Sequence, residues 1–153
     1  MDSYSPPAFD RLVAVPERYA TLPIAQAFDW DACADPSTVG EWYLVCFRSV
    51  RKAGADEALL QELDDRAHLD AAGVRGFVHY FKGETTAHGE CLSFCLWESR
   101  EVARAAAGRP AHTQASAVPG EMYASYKLEF YRVRKHAGRR SFEFEPYDGP
   151  RPH

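Results

Sequence analysis

The clearest hydrophobic pattern begins at Glu41, where "EWYLVCFRSV" is rich in aromatic and β-branched residues and holds neither Gly nor Pro, which predicts a first strand. Trp42, Leu44 and Cys46 alternate with Tyr43, Val45 and Phe47, so both faces of that strand are apolar. After a turn at "KAG", the stretch "DEALLQELDDRAHLDAAG" puts Leu59, Leu60, Leu63, Ala67 and Ala71 on one stripe at helical spacing. Acidic residues open it and Gly73 closes it, as in an amphipathic helix. "GFVHYFKG" predicts a second strand, "ETTAHGE" a turn, and "CLSFCLW" a third strand in which Leu92, Phe94 and Leu96 alternate with Ser93, Cys95 and Trp97. These two strands form an antiparallel hairpin.

A second helix starts at Ser99, a capping residue with Glu101 in the first turn, and stops at Gly108. Pro110 suits the first turn of a further short helix, so the Gly108-Arg109-Pro110 break lets the chain restart at a new angle with His112 in the tilted turn. "ASYKLEFYRVRK" predicts a fourth strand and "SFEFEP" is a candidate short fifth. The order β-α-β-β-α-β is the ferredoxin-like arrangement, an α+β fold with a four-stranded antiparallel sheet and both helices on one face. It divides the chain into an N-terminal extension over residues 1–40, a ferredoxin-like domain over 41–135 and a C-terminal arm over 136–153. The extension carries five prolines among Phe9, Leu12, Tyr19, Phe28, Trp30 and other apolar residues, which predicts ordered chain without one long helix, lying over the domain or over a partner subunit. A sheet that is apolar on both faces needs a second layer, and another copy of the sheet would supply it, so a homodimer is expected.

The 153 residues suit one core. A net charge of −4 gives no reason to expect a nucleic-acid or anionic-membrane partner, and the basic run "RVRKHAGRR" reads as a solvated face. Without a signal region or a membrane-length apolar run, the expected location is the cytoplasm. Cys33, Cys46, Cys91 and Cys95 form no CxxC pair and sit mostly in apolar segments, which predicts reduced, buried thiols. Dinucleotide, P-loop, HExxH and nucleophile-elbow motifs are absent, so nicotinamide, ATP and zinc chemistry are poor fits.

The strand and turn "CFRSVRKAGADEALL", the strand "GFVHYFKG" and the run "LWESREVARAAAGRPAH" resemble the dimeric α/β-barrel superfamily, in its antibiotic-biosynthesis-monooxygenase-like and haem-degrading-monooxygenase-like branch. The resemblance covers about Glu41 to Lys135. It implies a small-molecule enzyme, a cofactor-free oxygenase, isomerase or cyclase acting on an aromatic or polyketide-like compound. The alternatives are a haem-binding protein with His112 as ligand, and a non-catalytic structural dimer whose cavity is filled by its own side chains. The haem-degrading pattern asks for asparagine, tryptophan and histidine where this chain has Phe47, Ala106 and Ser116, so no cofactor is expected.

His112 is the first candidate for chemistry, because a neutral imidazole takes a proton near pH 7. His79, set mid-strand beside Phe77 and Phe81, is the second. Phe47, Trp97, Tyr80 and Tyr131 are candidate walls for a flat aromatic substrate. Arg48 shares its face with Leu44 and Cys46, so its charge must meet either an anionic ligand or a carboxylate such as Glu129. His68 suits the end of its helix and His88, His136 and His153 the surface, while Cys95 reads as packing.

Overall fold

The computed structural model of the chain describes residues 7–15, 19–107, 122–139, 141–149 and 151–152. Strand β1 (Gly40–Arg51) is the centre of one antiparallel sheet, between β3 (Glu90–Trp97) and β4 (Tyr123–Lys135). Strand β2 (Phe77–Phe81) pairs with β3 at one edge, and β5 (Phe142–Pro146) and the two-residue β6 (Arg151–Pro152) pair with β4 at the other. The order β2-β3-β1-β4 is that of the ferredoxin-like sheet, with β5 as an added edge. Before the sheet come a four-residue helix α1 (Ile24–Ala27) and short 3-10 turns at Phe9–Arg11, Tyr19–Thr21 and Trp30–Cys33. Helix α2 (Glu57–Ala72) crosses from β1 to β2, and α3 (Arg100–Ala107) follows β3. Among the described residues no helix is long and apolar enough to cross a membrane.

The period-2 alternation of the strands sorts their side chains into two layers. Trp42, Leu44, Cys46, Leu92, Phe94, Leu96 and Val133 form an outer face, and Tyr43, Val45, Cys95, Trp97 and Phe130 face the helices. The second layer assigned to another copy comes from the chain itself. Phe9, Leu12, Tyr19, Ile24, Phe28 and Trp30 lie on the outer face and form one core with it. The Phe28 ring meets Phe81 at 4.6 Å and Phe94 at 5.1 Å, both edge-on, and Trp30 sits 4.9 Å from Phe144. Such aromatic pairs contribute about 1 kcal/mol each beyond the area they bury. Trp30 Nε1 donates to the Ile24 carbonyl at 2.8 Å, which satisfies the polar end of a side chain only 3% exposed. Gly83 permits the approach of Tyr19 to the sheet, since a Cβ there would lie 2.4 Å from the Tyr19 hydroxyl and 2.0 Å from the Leu92 carbonyl.

Arg48 projects into the outer layer and resolves its charge there. Its Nε donates to Glu129 Oε1 at 3.0 Å, and its two terminal nitrogens donate to the carbonyls of Ala20 at 2.8 Å and Leu22 at 2.7 Å. Burial pushes the Glu129 carboxyl up, but the Arg48 hydrogen bond and charge more than offset it, and the group ends below its ordinary value of 4.5. The unfolded chain therefore binds this proton more readily than the folded one. The resulting stability is fully present above the ordinary value and is lost as the pH falls through the lower folded value.

Glu129→Gln should remove that component. Denaturant melts at a series of acidic pH values should show a shallower fall in stability than wild type, with about 2 kcal/mol less stability at neutral pH from the weakened charge-assisted hydrogen bond. An unchanged acid limb would mean that other carboxyls carry the dependence.

Candidate functional site

Helix α2 begins at a sound cap, where the Leu59 amide donates to Asp56 Oδ1 at 3.0 Å. Of its expected stripe, however, only Leu60 is fully buried in the helix, and Leu59, Leu63, Ala67 and Ala71 are partly buried. The helix stands off the inner face of the sheet, and between them lies a cavity of about 260 Å³. That is close to the lower end of the roughly 300–1,000 Å³ range of small-molecule sites. Helix α3 bounds it through Ala103 and Ala107. Ser99 caps α3 by accepting from the Val102 amide at 3.3 Å, and Gly76, at φ +99°, brings the start of β2 so close to α3 that a Cβ there would lie 2.9 Å from Val102.

The cavity walls are aromatic where the strands face it, with Phe47, Phe77, Trp97, Phe130 and Tyr43. Polar groups gather toward α2. Tyr80 Oη donates to Asp64 Oδ1 at 2.7 Å, and Lys82 Nζ stands 3.7 Å from Asp64 Oδ2. Oδ2 is itself buried and has no hydrogen-bond partner among the described residues. Burial, followed by the charge of Asp64, pushes the Tyr80 phenol far above its ordinary value. It therefore stays protonated and acts as a donor. The His68 ring lies 4.7 Å from that of Tyr80, edge to face, on the next turn of α2 after Asp64. Ser93, also in the wall, accepts from the Gly83 amide at 3.0 Å.

The C-terminal arm contributes Asp148 to the cavity wall. Asp148 accepts from Tyr43 Oη at 2.6 Å and from Arg100 Nε and Nη2 at 3.0 and 2.6 Å, and these bonds, the Arg100 pair foremost, hold its carboxyl below the ordinary range. The neighbouring Tyr147 ring packs edge-on against Tyr43 at 5.6 Å and under the Arg132 guanidinium at 4.3 Å.

Of the residues singled out from the sequence, Phe47, Trp97 and Tyr80 come together in this cavity. His79, Arg48 and Tyr131 belong to the opposite face. A register shift between Phe77 and His79 sends Phe77 inward and His79 outward, where it packs 6.3 Å from Phe9 and from Phe94. Burial there lowers the His79 pKa, so it sits as a neutral ring in the outer core. Tyr131 donates to Glu129 Oε1 at 3.0 Å beside Arg48. His112, with Gly108, Arg109, Pro110 and Ser116, lies outside the described residues. Asp64 and His68 were missed as site residues. Their signal was a carboxylate and an imidazole spaced i, i+4 beside the apolar stripe of α2.

The four cysteines are free thiols, and Cys91 and Cys95 are in the cavity wall. Burial pushes Cys33 and Cys46 up to about 12 and raises Cys91 and Cys95 as well. None is poised as a nucleophile. The described part of the cavity does not fit a haem. A macrocycle exceeds its volume, His68 is turned against Tyr80, and Ala106 is packed in the inner core with Tyr43, Trp97 and Ala103.

The chain matches the model of a family described as PB2B2.08-like over residues 5–146. The UPF0643 protein PB2B2.08 of Schizosaccharomyces pombe is 29% identical in an alignment of 147 positions that covers 84% of this chain and 66% of that protein, so the chain spans just under two thirds of this relative. Among solved structures, SO0527 from Shewanella oneidensis superposes with a TM-score of 0.53 at 15% identity, over 61% of this chain and 93% of that one. Rv0793 from Mycobacterium tuberculosis gives 0.50 at 22% identity, over 60% and 91%. A candidate antibiotic biosynthesis monooxygenase from Nitrosomonas europaea gives 0.51 at 12% identity, over 61% and 89%. The ferredoxin-like α+β fold expected from the sequence is the fold the chain has, and these solved structures share it.

Tyr80→Phe deletes the hydroxyl that holds Asp64 and leaves Oδ1 without that donor. A loss of about 1–2 kcal/mol in urea unfolding, at unchanged m-value, is expected. No loss would show that the pair is exchanged for solvent at no cost.

Proposed function

We propose that this chain, which belongs to the PB2B2.08-like family, is a small-molecule enzyme that binds a planar hydroxylated aromatic or polyketide-like compound and removes a proton from it without a bound cofactor. The observation that carries this reading is the Asp64 carboxylate at the edge of an aromatic cavity. One oxygen is fixed by Tyr80, and the other is buried without a hydrogen-bond partner among the described residues. An acidic O–H or C–H of a ligand lying against Phe47, Phe77 and Trp97 gives its proton to Oδ2. The bond to hydrogen breaks, its electron pair stays on the ligand, and the anion formed is balanced by Lys82, 3.7 Å from the same oxygen. Tyr80 remains a donor throughout, because burial and the Asp64 charge keep its phenol protonated, and so it is a positioning residue.

Proton removal of this kind is the step that cofactor-free oxygenases, isomerases and cyclases share. In an oxygenase the ligand anion would itself be the reductant of oxygen. The fold supports this reading to the extent that a structural neighbour is a candidate antibiotic biosynthesis monooxygenase.

A panel of planar phenols and naphthols, followed by tryptophan fluorescence and by the absorbance of the bound ligand, tests the proposal. Saturable quenching that Trp97→Phe abolishes, together with an anion-like absorbance shift that Asp64→Asn abolishes and Tyr80→Phe reduces, is the expected result. Binding with no absorbance change in wild type would remove the proton-transfer step. An absence of binding across the panel would remove the substrate class.

A further inference from the structure

Leu44, Cys46, Leu92, Phe94, Leu96 and Val133 on the outer face have no exposed surface in the single chain. An apolar face of this size, if uncovered, is a surface for self-association. Its cover is specific in a way that a second sheet could not reproduce. Among the described residues, two cations are held within the outer layer or its rim, Arg48 with a side chain 17% exposed and Lys135 at 1%, while Lys127 beside them stays half exposed. Besides Glu129, the Arg48 guanidinium is satisfied by the carbonyls of Ala20 and Leu22, and Lys135 Nζ donates to the carbonyls of Thr38 at 3.1 Å and His136 at 2.8 Å. Carbonyls free to accept from a side chain come from irregular chain. In a paired strand they are used by the ladder. A sheet laid on this face would bury both cations with fewer acceptors, at a cost larger than the hydrogen bonds themselves. Tyr19 adds a third fastening, donating to the Glu84 carbonyl at 2.6 Å.

We propose that the outer face is a docking surface for this chain's own N-terminal extension, through its described residues 7–15 and 19–39, that the 153-residue chain is therefore a monomer, and that a second copy binds this face only when the extension is displaced. The inference is independent of the chemistry assigned to the cavity, which lies on the other side of the sheet.

Light scattering across the micromolar range, with far-UV circular dichroism on the same samples, compares wild type with a full-length Ile24→Asp/Phe28→Asp variant, whose charges oppose docking of the extension. Wild type at 17.2 kDa and a folded variant of at least twice that mass are expected. A wild-type dimer overturns the proposal, and so does a folded variant that stays at 17.2 kDa. If the double variant loses its sheet signal, Arg48→Met decides. It leaves the aromatic contacts in place and frees the Ala20 and Leu22 carbonyls, and its mass should rise with concentration. A constant 17.2 kDa overturns the proposal.

Discussion

The apolar face formed where β1, β3 and β4 meet has to be covered, and nearly everything else in the molecule follows from how the chain does it. Leu44, Leu92, Phe94, Leu96 and Val133 are fully buried under a segment with almost no regular structure of its own. That segment could not be held by a backbone ladder, so it is held by aromatic edges and by side-chain donors aimed at its carbonyls. Trp30 takes the Ile24 carbonyl, and Arg48 takes those of Ala20 and Leu22. The prolines that prevent a long helix also leave carbonyls unpaired by ladder or helix, and those are the acceptors that a buried guanidinium needs.

With the outer face sealed, the inner face is free to be imperfect. Helix α2 buries one leucine fully, and Leu69 on it is 76% exposed. A helix packed so lightly would be a weak element if it were the main source of core. Here the larger buried cluster is on the other side of the sheet, and the space beneath α2 can stay open. The two layers thus divide the work. One supplies stability, and the other holds a cavity whose aromatic walls come from the strands and whose polar groups come from α2 and from the strands facing it.

The strands and both helices were legible in the sequence, because alternation and the i, i+3, i+4 stripe are strong periodic signals. The choice between cover by the chain's own extension and cover by a partner was not, since the apolarity of Phe28 and Trp30 is the same in either case. The candidate site was legible only in part, for two physical reasons. The register shift at Phe77/His79 breaks the period of β2, so residues two apart, Phe77 and His79, fall on opposite faces. No residue type in "GFVHYFKG" marks the shift. The stripe on α2 was read as packing, which hid that Asp64 and His68 beside it both line the cavity.

That same shift decides what the cavity can do. Without it, Phe77, His79 and Phe81 would share the inner face and Tyr80 would point into the aromatic core, where a phenol hydroxyl has few acceptors. The extra residue instead turns Tyr80 and Lys82 toward α2. Tyr80 meets Asp64, and Lys82 comes within 3.7 Å of the other carboxylate oxygen. The site therefore combines one helix position with one position in β2 and one just past its end, and a single inserted residue brings all three to the same place. A histidine ring is displaced in the process into the outer core, between Phe9 and Phe94, where its burial keeps it neutral. The chemistry of the inner face and the composition of the outer one are consequently set by the same backbone irregularity.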